Sequence, residues 1–242
     1  MTHDYTRTFI SLGPTCVAAE MLKAAGLRTC TFGFDWCRSG SHHLSEFLKL
    51  PLDEFLKHHV FQPNIPLVQM QNPSTLPSLT SEPIPVQPLY GYQYLFNPHR
   101  DIRETSTRQY HKRAFERLNK VVHSDRLRKT FIVADYANKQ HATFISDPIL
   151  TARFIQTQLQ SYDVCNYSVE VVRFWLNDNE DRHGFLKVSK ISLTESCRLN
   201  NVSISRLLDE QGLRGMMYRV TASMIFGSRS VHTRIWAPGR IE

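Results

Sequence analysis

The sequence predicts an α/β fold, a central mixed sheet flanked by helices, with an α+β arrangement as its variant. Three observations lead there. Short apolar and aromatic runs alternate with helical stretches after residue 100, the order expected when helices cover a sheet. The candidate strands mix aromatic with polar residues, which suits a mixed sheet better than an all-parallel one. The 242 residues are 41% hydrophobic and 21% charged, the balance of a chain that can bury a sizeable core.

Each element has a local reason. Residues 8–12 read as a short strand. Pro14 then opens a helix, because proline suits the first turn, and Gly26 closes it. Residues 29–34, rich in Thr and Phe, read as a second strand that delivers Asp35 and Trp36. Arg38 to Ser41 makes a turn, and residues 44–50 and 52–58 form two short helices joined at Pro51. Residues 63–98 hold eight of the twelve prolines, and Glu82 is their only Lys, Arg, Asp or Glu. Proline argues against regular structure and low charge against a solvated linker, so a long loop draped beside the site is expected.

Residues 92–96 alternate like a strand. Residues 103–123 form a strong helix with Tyr110, Ala114, Phe115, Leu118, Val121 and Val122 on its buried face. Residues 130–134 are a buried strand, and residues 148–159 are a helix capped by Asp147. Strands follow at 169–175 and 185–191. A last helix starts at residues 204–208 and ends at Gly212. The expected organisation is one catalytic-type domain, 1–197, carrying the Pro-rich loop. A C-terminal extension, 198–242, packs on the same domain.

Composition removes several function classes. No apolar run approaches the roughly 18–20 residues of a membrane span. The N-terminus lacks the apolar region of a secretory signal, so a cytoplasmic location is expected. Five cysteines, odd in number and scattered, read as reduced thiols. Neither they nor the His42-His43 and His58-His59 doublets have zinc-ligand spacing, so neither metal nor cofactor is expected. The net charge is +7. Residues 100–129 hold ten Lys or Arg, and seven Arg lie from Arg198 onward. The first group reads as the solvated face of a helix. No helix-turn-helix, RNP or zinc-finger signature makes nucleic acid an expected partner, whereas an anionic ligand stays open.

The chemistry centres on Ser11-Leu12-Gly13-Pro14-Thr15-Cys16. An apolar run ends in a glycine turn and a cysteine follows at a helix start. There the helix dipole favours the thiolate, the nucleophilic form. Backbone N–H groups around Thr15 and Cys16 could hold an oxyanion. His99, at a strand end and followed by Asp101, is the best-placed base of eleven histidines. On spacing alone, a cysteine near a helix start is more often a small buried residue than a nucleophile. A histidine at a strand end is likewise more often a surface group.

These motifs carry a resemblance. Ser11-Leu12-Gly13-Pro14-Thr15-Cys16, Gly26-Leu27-Arg28 and Phe34-Asp35-Trp36 resemble the N-terminal signature of a bacterial and viral domain-of-unknown-function family described as putative papain-like cysteine peptidases. Tyr94 through His99 to Asp101, Tyr110-His111-Lys112-Arg113 and Phe131-Ile132-Val133 resemble its later motifs more loosely. The resemblance implies a papain-like cysteine-hydrolase-type core, Cys16 as nucleophile and His99 as general base. This sequence departs from the family by placing Arg100 between His99 and Asp101. It also has Ala134-Asp135 where the family often has an arginine. The third, orienting residue therefore stays open among Asp101, Asp135 and Asn177.

Asp35 is either a site carboxylate or a buried cap beneath a Trp36 plug. Ser11, Gly13, Thr15 and Trp36 are the candidate substrate-binding residues. The expected function is a cysteine-dependent hydrolase or acyl transferase acting on a peptide or small-molecule amide or ester. Two alternatives remain. One is a phosphate-, nucleotide- or coenzyme A-binding transferase that uses the same strand–helix turn. The other is a non-catalytic interaction protein.

Overall fold

The computed structural model describes residues 7–60, 91–96, 100–101, 104–137, 145, 147–177, 186–205 and 214–227. The Pro-rich segment 63–98 falls outside them except for its last strand, as do His99 and the final residues of the tail.

In chain order the elements are β1 (Arg7–Pro14), α1 (Val17–Ala24), β2 (Arg38–Gly40), α2 (Ser41–Lys49) and α3 (Leu52–Phe55). The last of these runs into a π turn, Leu56–Val60. Next come β3 (Gly91–Phe96), α4 (Thr105–Val122), β4 (Arg128–Ala137), α5 (Pro148–Ser161), β5 (Tyr167–Asn177), β6 (Leu186–Thr194), β7 (Cys197–Ser205) and α6 (Arg214–Phe226). Five strands make one sheet in the order β1-β4-β5-β7-β6, and β2 pairs with β3 in a separate ribbon. β1, β4, β5 and β7 run parallel, and β6 returns antiparallel on the edge. The α/β class and the mixed sheet flanked by helices are therefore what the chain forms.

The sheet is buried on both faces. Ile10, Leu12, Phe131, Val133, Val169 and Val171 share one apolar cluster with residues of α2, α3, α4 and α5. The alternate residues Phe9, Ile132, Ala134, Val172, Phe174 and Val202 share another with α1 and α6. Period-two alternation thus feeds two cores, which is why these strands read as near-continuous apolar runs.

Several expected elements differ. Pro14 does not open a helix: it ends β1 after a cis Gly13–Pro14 peptide, and α1 begins at Val17. Residues 29–34 form a turn rather than a strand. The Phe32 N–H donates to the Asp35 carboxylate (3.1 Å) rather than to a ladder. A Cβ on Gly33 would overlap the Phe115 ring, so the chain lies flat against α4 there. Arg38 to Gly40, expected as a turn, is β2. Ile204 belongs to β7, and the C-terminal helix begins only at Arg214. The residues from Arg198 onward thus supply most of an inner strand and a helix packed on α1.

Candidate active site at the end of the first strand

β1 is parallel to β4, and Pro14 lies opposite Ala134 at their carboxyl ends. In open α/β sheets, ligands bind at this edge. Gly13 has φ +94°, a conformation that favours glycine. Its missing Cβ makes room for Ser39, because a side-chain carbon would overlap the Ser39 hydroxyl. That hydroxyl donates to the Leu12 carbonyl (2.9 Å), tying β2 beneath the turn. Thr15 is buried, and its hydroxyl accepts the Val17 N–H (3.3 Å), one of the donors a helix start leaves open.

Cys16 is the N-cap residue of α1 and half-buried. Its carbonyl accepts the Glu20 N–H at 2.8 Å, which places Glu20 one turn further along. The Glu20 side chain shares a helix face with the thiol. Burial, then the neighbouring Glu20 carboxylate, push the thiol up to about 11, and the opposing pull of Arg38 is smaller. The helix start was expected to favour the thiolate. Burial and the Glu20 carboxylate act in the opposite direction and favour the thiol. The signal was present in the sequence: a Glu four residues after a Cys shares its helix face.

The Gly26-Leu27-Arg28 and Phe34-Asp35-Trp36 motifs meet each other. Arg28 Nε pairs with Asp35 Oδ2 at 3.0 Å, and Arg28 also bonds the Thr31 hydroxyl. The Arg28 guanidinium lies 5.0 Å from the Trp36 ring centroid, with the Lys23 ammonium at 5.9 Å. Trp36 has φ 61°, unusual for a bulky residue. Asp35 is 2% exposed, and burial pushes its carboxyl up to about 6 despite Arg28 and the Phe32 N–H. This geometry fits the buried-cap alternative for Asp35. Nearby, burial also pushes the Cys37 thiol up, which makes it inert.

The remaining candidates fall in three places. Asp135 is buried one residue past Ala134, opposite Arg173 of β5, and accepts the Ile145 N–H at 3.3 Å. Arg173 donates to the Ile145 carbonyl (2.7 Å), so both side chains grip the same residue. Asn177 ends β5 further along the same carboxyl edge. Asp101 is half-buried four residues before α4, and its carbonyl accepts the Glu104 N–H (3.2 Å). Ser11 is fully buried within β1. Among the described residues, no group of three or more His, Cys, Asp or Glu could hold a metal ion. No helix there is long and apolar enough to cross a membrane.

Comparison with known families gives a match over most of the chain. A family model described as "Putative papain-like cysteine peptidase", a domain of unknown function, matches residues 7–165. No curated protein and no solved structure matches the chain.

Proposed function

The chain belongs to that papain-like cysteine peptidase family, and from this premise we propose that it is a cysteine-dependent hydrolase or acyl transferase with Cys16 as nucleophile and His99 as general base. The observation that carries the reading is the position of Cys16. It is half-exposed, it caps a helix, and it sits at the carboxyl end of a parallel strand. A thiol held at about 11 by its described neighbours is almost wholly protonated at neutral pH, so catalysis there needs a base.

In this mechanism His99 takes the thiol proton as sulfur attacks the carbonyl carbon of an amide or ester. The proton passes to the departing amine or alkoxide, leaving a thioester on Cys16. Water, or an acceptor nucleophile in a transferase, then releases the acyl group with His99 again as base. Backbone N–H groups around Thr15 and Cys16, ahead of α1, would hold the developing oxyanion. Asp135 suits the orienting role best of the three candidates, being buried at the carboxyl end of the strand beside β1. Arg28, Asp35 and Trp36 hold the turn rather than react.

Glu20 speaks against the phosphate-binding alternative, because it puts a negative charge in the first turn of α1, where an anion would sit. The test is site-resolved mass mapping after reaction with an acyl electrophile. Cys16→Ala should abolish acylation and turnover, and His99→Ala should lower the acylation rate by about 100-fold or more. An active Cys16→Ala variant would end this reading.

A further inference from the structure

Glu20 faces the candidate nucleophile, and no role is yet assigned to it. We propose that Glu20 selects substrates that carry a positively charged group beside the bond Cys16 attacks. The proposal rests on the reading of Cys16 as nucleophile and names the substrate class for that site.

Four observations carry it. Glu20 lies one turn after Cys16 on α1, so the two side chains share a helix face. It is half-exposed, so a bound molecule at Cys16 meets it. None of the ion pairs among the described residues involves Glu20. The cations further along the same segment are engaged elsewhere: Arg28 pairs with Asp35, and both Arg28 and Lys23 lie over Trp36. A carboxylate therefore shares a helix face with the reacting sulfur in a chain of net charge +7.

The energetics follow from charge alone. Ionising Cys16 puts two negative charges side by side, which disfavours the thiolate. A substrate ammonium or guanidinium near Glu20 cancels one of them. The cation that Glu20 binds thus also raises the thiolate fraction, so selection and activation are one event. Arg38 lowers the same penalty more weakly. An anionic substrate meets repulsion from Glu20 and leaves the thiol protonated.

The experiment uses charged methanethiosulfonates on the full-length chain. The Cys16 thiolate attacks the thiosulfonate sulfur, forms a disulfide and releases methanesulfinate. Rates at Cys16 are followed by mass mapping with trimethylammonioethyl, sulfonatoethyl and neutral methyl reagents, each divided by its rate with mercaptoethanol. The expected cation-to-anion ratio at Cys16 is about tenfold or more above unity. Glu20→Gln should bring the ratio down toward unity and raise the rate with the neutral reagent. Glu20→Asp, which keeps the charge, should keep the preference. A wild-type ratio at or below unity, or one unchanged in Glu20→Gln, overturns the proposal and leaves the nucleophile intact. A Cys16 inert to all three reagents overturns the nucleophile reading and this proposal with it.

Discussion

Gly13 shows how much one residue can determine. Its φ of +94° and the Ser39 hydroxyl against its α-carbon leave no room for a side chain. Gly13→Ala should destabilise the protein by about 2–4 kcal/mol, from a strained backbone and a steric overlap together. Adding Ser39→Ala should recover only the overlap part. Urea unfolding of the two single variants and the double variant checks this, and full recovery would mean that backbone strain contributes nothing. Asp35 is a second such position. It is 2% exposed and Arg28 is 14% exposed, so removing either partner strands a charge. Asp35→Ala should cost about 3 kcal/mol or more and leave the Arg28–Trp36 stack unsupported. A loss within about 0.5 kcal/mol would show that the pair does not hold the turn.

At the scale of elements, helix ends depend on single side chains. Asp147 accepts the Ile149 and Leu150 N–H groups at 2.8 and 2.9 Å, with Pro148 next to it. Asp147→Ala should cost about 1 kcal/mol, read as a lower urea midpoint with an unchanged slope. That cap was legible in the sequence because its signal is local: an aspartate, a proline, then an apolar run. The Glu20–Cys16 spacing was equally local. Elements determined by distant partners were not legible. Residues 29–34 have the composition of a strand, yet Asp35 takes the Phe32 N–H, and Arg117 of α4 donates to the Thr31 carbonyl at 2.9 Å. β7 carries Asn200 in its buried middle, where the side chain donates to Glu170 of β5 at 2.9 Å. Neither strand's own pattern announces that pairing. α6 turns apolar residues toward both α1 and the sheet, so it lacks the one-sided stripe that marks a surface helix.

At the scale of the whole molecule, the buried histidines make stability depend on pH. His43 is fully buried, its Nδ1 accepts the Gly40 N–H at 2.8 Å, and burial holds it well below its usual range. His111 is 2% exposed, and burial, then the charge of Arg100, pushes it down to about 4. Between about 6.5 and 4 the unfolded chain binds protons that the native histidines refuse, so these groups lower stability as pH falls. Asp35, raised to about 6, and Glu170, also raised by burial, act in the opposite sense. A difference measurement isolates one contributor. Relative to the wild type, His111→Gln should gain roughly 2–3 kcal/mol between pH 7 and pH 4, read from urea midpoints. Parallel curves for the two proteins would remove His111 from the acid limb.

The candidate nucleophile is the thiol that follows β1, and whether a base serves it can be read in solution. The measurement is the pH–rate profile of Cys16 alkylation by iodoacetamide, followed by mass mapping in the wild type and in His99→Ala. With His99 as its base, wild-type Cys16 should show a reactive limb rising in the histidine range, about pH 6–7. His99→Ala should lose that limb and react only as the thiol ionises toward about 11. Superimposable profiles, both rising only at the alkaline end, would contradict the account and leave Cys16 a half-buried thiol with no base.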